Sequence, residues 1–564
     1  MLCDLYTQRG ETLSEAVWQE YPRPQLQRQS WLNLNGKWDF AAKKGKQFPT
    51  EYTQQILVPF CPESALSGIG QHYGEDTFLY YRRQVTLPDG FVKGKVLLHF
   101  GAVDQIVEVF INGRIVGKHI GGYHAFTMDI TDYYTPQMEL TLRIKDDLRS
   151  TDLPYGKQKL KRGGMWYTPV SGVWQTVWME SVPETHIERL DIQVSLEKAT
   201  VTVHPKLDGV VMFQGQEIPL VAGTAELAPE NPELWTPENP KLYGFAVRAG
   251  EDAVGSYFAL RTIEAKLVND IPRLCLNGKP YFFHGLLDQG YWPDGLYTPA
   301  SEASYEDDIL AMKKLGFNML RKHIKIEPEA FYYACDRLGM VVFQDMVNNG
   351  KYSFVKDTLL PTLGVQKLPD TKRNKGAAAR RAFLQGMEQT VAQLKNHPCI
   401  VYWTIFNEGW GQFCADEMYE KLFQLDSSRI IDSTSGWFRG SKTQVESLHI
   451  YFGSFRKLKP TDKPLVLSEF GGYCYAEKDH LFNPDKSYGY RHCKTLDQYR
   501  SDLEGLYRQK ILPAVSQGLC AAVYTQVSDV EEEINGILSY DRKVCKADMQ
   551  NMVHLAQELK SAIE

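Results

Sequence analysis

Near residue 270 the chain changes its period. Before that point it runs in short alternating or β-branched stretches such as KVLLHF (95–100), IVEVFING (106–113), LTLRIK (140–145) and WQTVWMESV (174–182). Gly, Pro or Asp soon breaks each one, which is strand patterning with turn punctuation. Asn112-Gly113, between IVEVFI and RIVGKHI, is a hairpin signal because both residues tolerate positive φ. Beyond residue 270 apolar strand candidates alternate with amphipathic helical stretches instead. One core cannot serve both rhythms, so the chain must build β-sandwich and α/β architectures side by side.

The patterning divides the chain into three units. Residues 1–185 read as a jelly-roll-like β-sandwich. Residues 186–266, with IERLDIQVSL, ATVTVHPKL and LYGFAVRA, read as a smaller immunoglobulin-like sandwich. Residues 267–564 hold eight strand candidates, from YFFHGLL (281–287) to CAAVYTQ (520–526), as a (β/α)8 TIM barrel requires. A doubly wound open sheet fits the same alternation. EASYEDDILAMKKLG and EPEAFYYACDRLG each end on a glycine stop signal, and AAARRAFLQGMEQTVAQLKNH is the clearest amphipathic helix. The fifth and sixth candidates, RIIDST (429–434) and SLHIY (447–451), lie too close together for a full helix between them.

Composition excludes several function classes. Lys and Arg number 63 against 69 Asp and Glu, without the basic excess of a nucleic-acid protein. No apolar run approaches the roughly 18 residues of a membrane span, and MLCDLYTQRGETLSEAV lacks a signal-peptide pattern. Ten cysteines are scattered without a CxxC, which speaks against a zinc or redox site and for buried thiols in a reducing, cytoplasmic setting. Neither GxGxxG nor GxxxxGK[ST] occurs, so no cofactor is expected. Aromatics reach 12%, and they fill β cores as readily as they stack on sugar rings.

In a barrel, chemistry gathers at the C-terminal ends of strands. The polar residues there are Asp288, Arg321 and His323, Asp345, Asn407 and Glu408, His449 and Tyr451, Glu469, and Gln526. Two carboxylates stand out. IVYWTIFNEGW places Glu408 after an apolar run, and LVLSEFGGY places Glu469 likewise. A glutamate closing a buried strand is costly to ionise without a partner, so each marks a cap, a rim ion pair or a functional group. Two such groups on one barrel suit glycoside hydrolysis, in which one protonates the leaving oxygen and the other attacks the anomeric carbon or activates water. His449 and Tyr451, two apart, share a strand face. His323 is either a satisfied buried ring or a substrate contact. Trp437 either packs a loop or forms a sugar platform.

These residues sit in recognisable company. LNGKWDF (34–40), FLYYRRQVTLP (78–88), YTPVSGVWQTVWMESV (167–182), LWTPENPKLYGF (234–245), GFNMLRKH, FNEGW and LSEFGG occur in the order seen in family 2 glycoside hydrolases, the β-galactosidase, β-glucuronidase and β-mannosidase group, which the chain resembles along nearly its whole length. The resemblance implies that Glu408 is the general acid/base and Glu469 the nucleophile of a retaining mechanism. It also implies that Asn407 bonds the sugar 2-hydroxyl, Tyr451 stands beside the nucleophile and Asp288 contacts the nonreducing end. Such a mechanism needs Glu408 protonated at rest, through burial, and Glu469 ionised, with Arg321 placed to keep it so.

Two departures bear on the sugar. Arg321-Lys322-His323-Ile324 replaces the Arg-x-x-His-Tyr-Pro common in the β-galactosidases, and EEEINGILSYDRK lacks the Asn-x-Lys carboxylate clamp of the β-glucuronidases. The expectation is an exo-acting enzyme on glycosides or oligosaccharides, β-galactosidase-type first. A β-glucuronidase or a pentose or furanose glycosidase on the same scaffold is the alternative, and a non-catalytic carbohydrate-binding protein the remote one. A homo-oligomer, with a second protomer lending a loop, fits the sequence equally. Segments 346–378 and 471–492 are expected to cover the mouth and restrict the site to chain ends.

Overall fold

The computed structural model describes residues 3–362, 365, 370–451, 455 and 458–564. The first unit is a sandwich of a four-stranded and a six-stranded antiparallel sheet. Its inner faces bury Trp38, Phe40, Tyr81, Leu98, Phe100 and Val107, the alternate positions of their strands. Asn112 (φ 49°) and Gly113 (φ 74°) form the expected tight turn, with Ile111 opposite Arg114. The second unit packs a three-stranded sheet on a four-stranded one, the seven-strand count of an immunoglobulin-like sandwich.

A hairpin of Ile263–Val268 and Ile271–Leu276 links the sandwiches to the third unit, and the expected boundary at 266/267 falls inside its first strand. Eight parallel strands follow: β1 (Phe283–Asp288), β2 (Met319–Lys322), β3 (Val341–Asp345), β4 (Ile400–Asn407), β5 (Ile430–Ser435), β6 (Glu446–Ile450), β7 (Leu465–Gly471) and β8 (Leu519–Thr525). Their hydrogen-bonded order is 5-4-3-2-1-8-7-6, so the sheet curls into a nearly closed barrel rather than a doubly wound sheet.

Helices α1 (Ala303–Lys314), α2 (Glu329–Leu338), α3 (Ala377–Leu394), α4 (Ala415–Leu425), α5 (Leu496–Leu506) and α6 (Met549–Ile563) follow β1, β2, β3, β4, β7 and β8. α2 shows how the sequence builds them. Phe331, Tyr332, Ala334 and Cys335 are buried, and Gly339, at φ 75°, stops the helix in a conformation costly for any residue with a Cβ. Among the described residues no helix is long and apolar enough to cross a membrane.

β5 and β6 are the two ends of the ladder, and no helix lies between Ser435 and Glu446. Polar groups close this seam instead. Gln444 N donates to Ile431 O (3.1 Å), Ile431 N donates to Gln444 Oε1 (2.7 Å), and the Ser435 and Ser447 hydroxyls stand 3.4 Å apart. The short connection leaves a polar strip in an otherwise apolar barrel wall.

Candidate active site

Arg321 is the hub of the barrel mouth. Its guanidinium, 1% exposed, donates from Nε to Asp345 Oδ1 (3.0 Å) and from Nη2 to Asn407 Oδ1 (2.8 Å). Nη1 donates to Ser468 O and to Glu469 Oε1, both at 3.0 Å. A buried cation is tolerable only with its donors satisfied and its charge answered, and here two carboxylates answer it. Burial weakens its hold on the proton, but Asp345 and Glu469 more than reverse that and keep it charged. One planar side chain thereby fixes groups on β2, β3, β4 and β7 relative to one another.

Glu469 closes β7 with its side chain 6% exposed. Oε1 faces Arg321, and Oε2 accepts from Tyr451 OH (2.5 Å), with His449 Nδ1 at 3.6 Å. Burial pushes the carboxyl up, but His449, Arg321, His323 and the Tyr451 hydroxyl together bring it down to about 2. Glu408 follows β4 in a different setting. Its side chain is 21% exposed, so it is not the deeply buried group the sequence led us to expect. His449 Nδ1, at 2.9 Å, is its side-chain partner. Glu408 has φ 52°, a strained left-handed conformation, and Gly409 at φ 68° has no room for a Cβ against Phe438. This tight turn swings the carboxylate off the strand and back over the mouth.

The donor atoms of Glu408, His449 and Glu469 all lie within 4.8 Å of one another. Among the described residues they alone form a set that could hold a metal ion. Within the protein, His449 Nδ1 bonds Glu408, while Arg321 and Tyr451 hold Glu469. The seam supports it from below, since His449 Nε2 meets Ser435 Oγ at 2.9 Å and Ser435 and Ser447 bond Ser468 at 2.9 and 2.7 Å.

The "Glycosyl hydrolases family 2, TIM barrel domain" description matches residues 268–560, and the family's sugar binding domain matches 68–179. The chain belongs to glycosyl hydrolases family 2. It is 25% identical over 463 residues to a beta-galactosidase of Thermoanaerobacter pseudethanolicus, covering 73% of this chain and 58% of that protein. It is also 25% identical over 445 residues to the beta-glucuronidase of Felis catus, covering 69% and 65%. The chain thus spans only about three-fifths of the length of these curated relatives. A Dictyoglomus thermophilum beta-D-glucuronidase structure superposes with a TM-score of 0.72 at 16% identity, covering 96% of this chain and 98% of that one.

Of the residues picked from the sequence of this family 2 chain, Arg321, Asn407, Glu408, His449, Tyr451 and Glu469 meet in one constellation. His323 is buried and holds Asp345 Oδ2 from Nδ1 (2.7 Å), so it braces the carboxylate that orients Arg321. Burial pulls its basicity down, against the pull of Asp345. Trp437 Nε1 donates to Glu408 O (2.9 Å), with the ring edge-on to His449 at 5.6 Å. Gln526 is buried, bonded from Nε2 to Asn535 Oδ1 (2.8 Å), and its Oε1 has no hydrogen-bond partner among the described residues. Asp288 stands apart, with Oδ2 on Lys322 Nζ (2.7 Å) and Oδ1 accepting from Gly290 N (2.9 Å).

Other members escaped the sequence. Tyr490, from the 471–492 segment, stacks on Tyr451 with centroids 3.9 Å apart. Trp166 of the first sandwich meets Trp410 at 5.0 Å, and Tyr155 meets it at 5.3 Å. The aromatic run around 488–490 was a usable signal, but a ring supplied by a different sandwich has none. In segment 346–378, residues 363–364 and 366–369 lie outside the described residues. Its described part reaches the mouth where Trp437 Nε1 meets Asp357 O (3.3 Å) and Arg373 donates to Gly409 O (2.7 Å).

Proposed function

We propose that this protein is a retaining exo-β-glycosidase that removes single terminal sugars. The observation that carries the reading is the unequal setting of two carboxylates whose oxygens approach within 4.8 Å. So close an approach suits a double displacement, whereas inverting enzymes hold their carboxyl groups roughly 6.5–9.5 Å apart to admit a water. Glu469, ionised under Arg321 and Tyr451, attacks the anomeric carbon. Glu408 gives its proton to the departing oxygen, then takes one from the water that cleaves the glycosyl–enzyme ester. Asn407, aligned by Arg321, is placed to bond the sugar 2-hydroxyl. Exo action is supported by the Tyr490 and Trp166 segments, which wall the mouth.

The β-galactoside expected from the sequence and the β-glucuronide both have a curated relative acting on that sugar. The ten free cysteines support a cytoplasmic setting. A panel of nitrophenyl β-glycosides, with the anomeric product followed by NMR, tests the reaction. Release of the β-anomer first is expected. Initial α-anomer, or no turnover on any glycoside, would end the reading.

A further inference from the structure

Residues 154–168 leave the first sandwich and cross the barrel mouth. Tyr155 N donates to Asn348 O (3.1 Å) and Tyr155 OH to Gly350 O (2.8 Å). Tyr167 OH donates to Glu533 Oε2 (2.6 Å), and Thr168 N to Glu531 Oε1 (2.8 Å). Gly156, at φ 58°, is pressed against the barrel, where a Cβ would stand 2.9 Å from the Ile324 carbonyl oxygen. Ile324 follows His323, so the next residue, Lys157, is delivered beside the end of β2.

KQKLKR (157–162) puts four cations into this crossing. Lys159 is held over the rings of Trp166 (4.1 Å) and Tyr352 (5.1 Å), and Arg162 pairs with Glu531 (3.2 Å). Lys157 differs. It is half-buried, 5.9 Å from the Trp166 ring centroid, and no carboxylate among the described residues lies within ion-pair distance of it. Its charge is nevertheless felt on both sides. It adds to the burial that lowers His323 and opposes the burial that raises Glu533. The acids nearby are already engaged, Glu531 by Thr168 and Arg162, Glu532 by Asn483 (2.8 Å), and Glu533 by Tyr167 and Asn535 (2.9 Å). Among the described residues none of these acids stands within ion-pair distance of Lys157, and each is shared with other donors.

In the barrel order, β1, β2 and the segment after β8 face β4, β5 and β6, where Glu408 and His449 stand. A sugar with its anomeric carbon on Glu469 and its leaving oxygen on Glu408 turns its nonreducing side toward Lys157. An anion on that side would give this half-buried ammonium a charge-assisted partner. We propose that Lys157 is a specificity-determining residue that binds the carboxylate of a terminal β-linked uronic acid. This rests on the glycosidase reading above, and it places the sugar-reading charge in the sandwich domain rather than in the 531–543 segment.

The test compares kcat/KM on nitrophenyl β-glucuronide and β-galacturonide with the matched glucoside and galactoside. The wild-type ratio should favour a uronide. Lys157→Met should lower that ratio about 50-fold, the scale of one charge-assisted hydrogen bond, mainly through KM. Lys157→Arg should keep most of it, and both variants should melt within a few degrees of wild type. A wild type that cleaves neutral glycosides and ignores uronides, or a uronide preference that Lys157→Met leaves intact, overturns the role of Lys157 while the glycosidase reading stands. Turnover of none of the four but of another glycoside overturns the role of Lys157 alone, and turnover of no glycoside at all overturns both.

Discussion

Glu469 and Glu408 are the same residue at equivalent places, each at the C-terminal end of a buried barrel strand, yet their surroundings diverge. Glu469 is enclosed by a guanidinium, a phenol and an imidazole, which hold its carboxyl at about 2. Glu408 is carried off the strand by a left-handed turn, keeps one imidazole partner and stays partly open to solvent. A group that must remain an anion is better surrounded, and one that must gain and lose a proton is better left accessible. Strand position makes a carboxylate available, and its neighbours decide what it does.

The comparison is broken most severely by removing the enclosed partner. Glu469→Gln should lower kcat on an aryl glycoside by on the order of 10^5, with the fold retained by circular dichroism. Glu408→Ala should cost about 10^3- to 10^4-fold on a poor leaving group and far less on a dinitrophenyl one, which needs no proton. Azide should rescue it and yield a β-glycosyl azide, whereas azide rescue of Glu469→Gln with retention would reverse the assigned roles.

Arg321→Met strips the countercharge from Asp345 and Glu469, and loss of one member of a buried ion-pair network costs about 3–5 kcal/mol. Urea denaturation should show a loss of that size, and the acid limb of the pH–rate profile should move upward because Glu469 ionises less readily. Tyr451→Phe removes one hydrogen bond to Glu469 and should cost only about tenfold in kcat/KM.

The last comparison is of stability against pH. Glu469 is near 2 when folded and near the ordinary 4.3 when unfolded, so the unfolded chain binds the proton first. Its contribution is complete above about pH 5 and is lost as pH falls toward 2. Stability measured from pH 6 to 3 should fall less steeply for Glu469→Gln than for wild type. Equal slopes would show that the enclosure does not hold the carboxyl down.

Much of this was legible in the chain. The apolar runs before Glu408 and Glu469, and the crowding between RIIDST and SLHIY, each describe one strand and its immediate continuation, which local patterning records. The burial expected of Glu408 fails because Glu408 to Gly409 turns out of the strand, where Phe438 and Trp437 are the neighbours, and sequence spacing does not locate them. Asp288 does end β1, but its partner Lys322 is the residue paired with it on the neighbouring strand, which spacing along the chain does not reveal.

By itself the sequence determined the switch from sandwich to barrel, the strands and the two carboxylates that end them, because alternation, apolar runs and glycine stops act over a few residues. Only the tertiary structure decided that one arginine ties four strands together, that polar side chains complete the seam beneath His449, and that a lysine from the first sandwich, without an ion pair among the described residues, comes close enough to His323 and Glu533 for its charge to act on both. Those outcomes depend on groups far apart in the chain being brought within a few ångströms, and electrostatics at that range follows distance in space rather than distance along the chain.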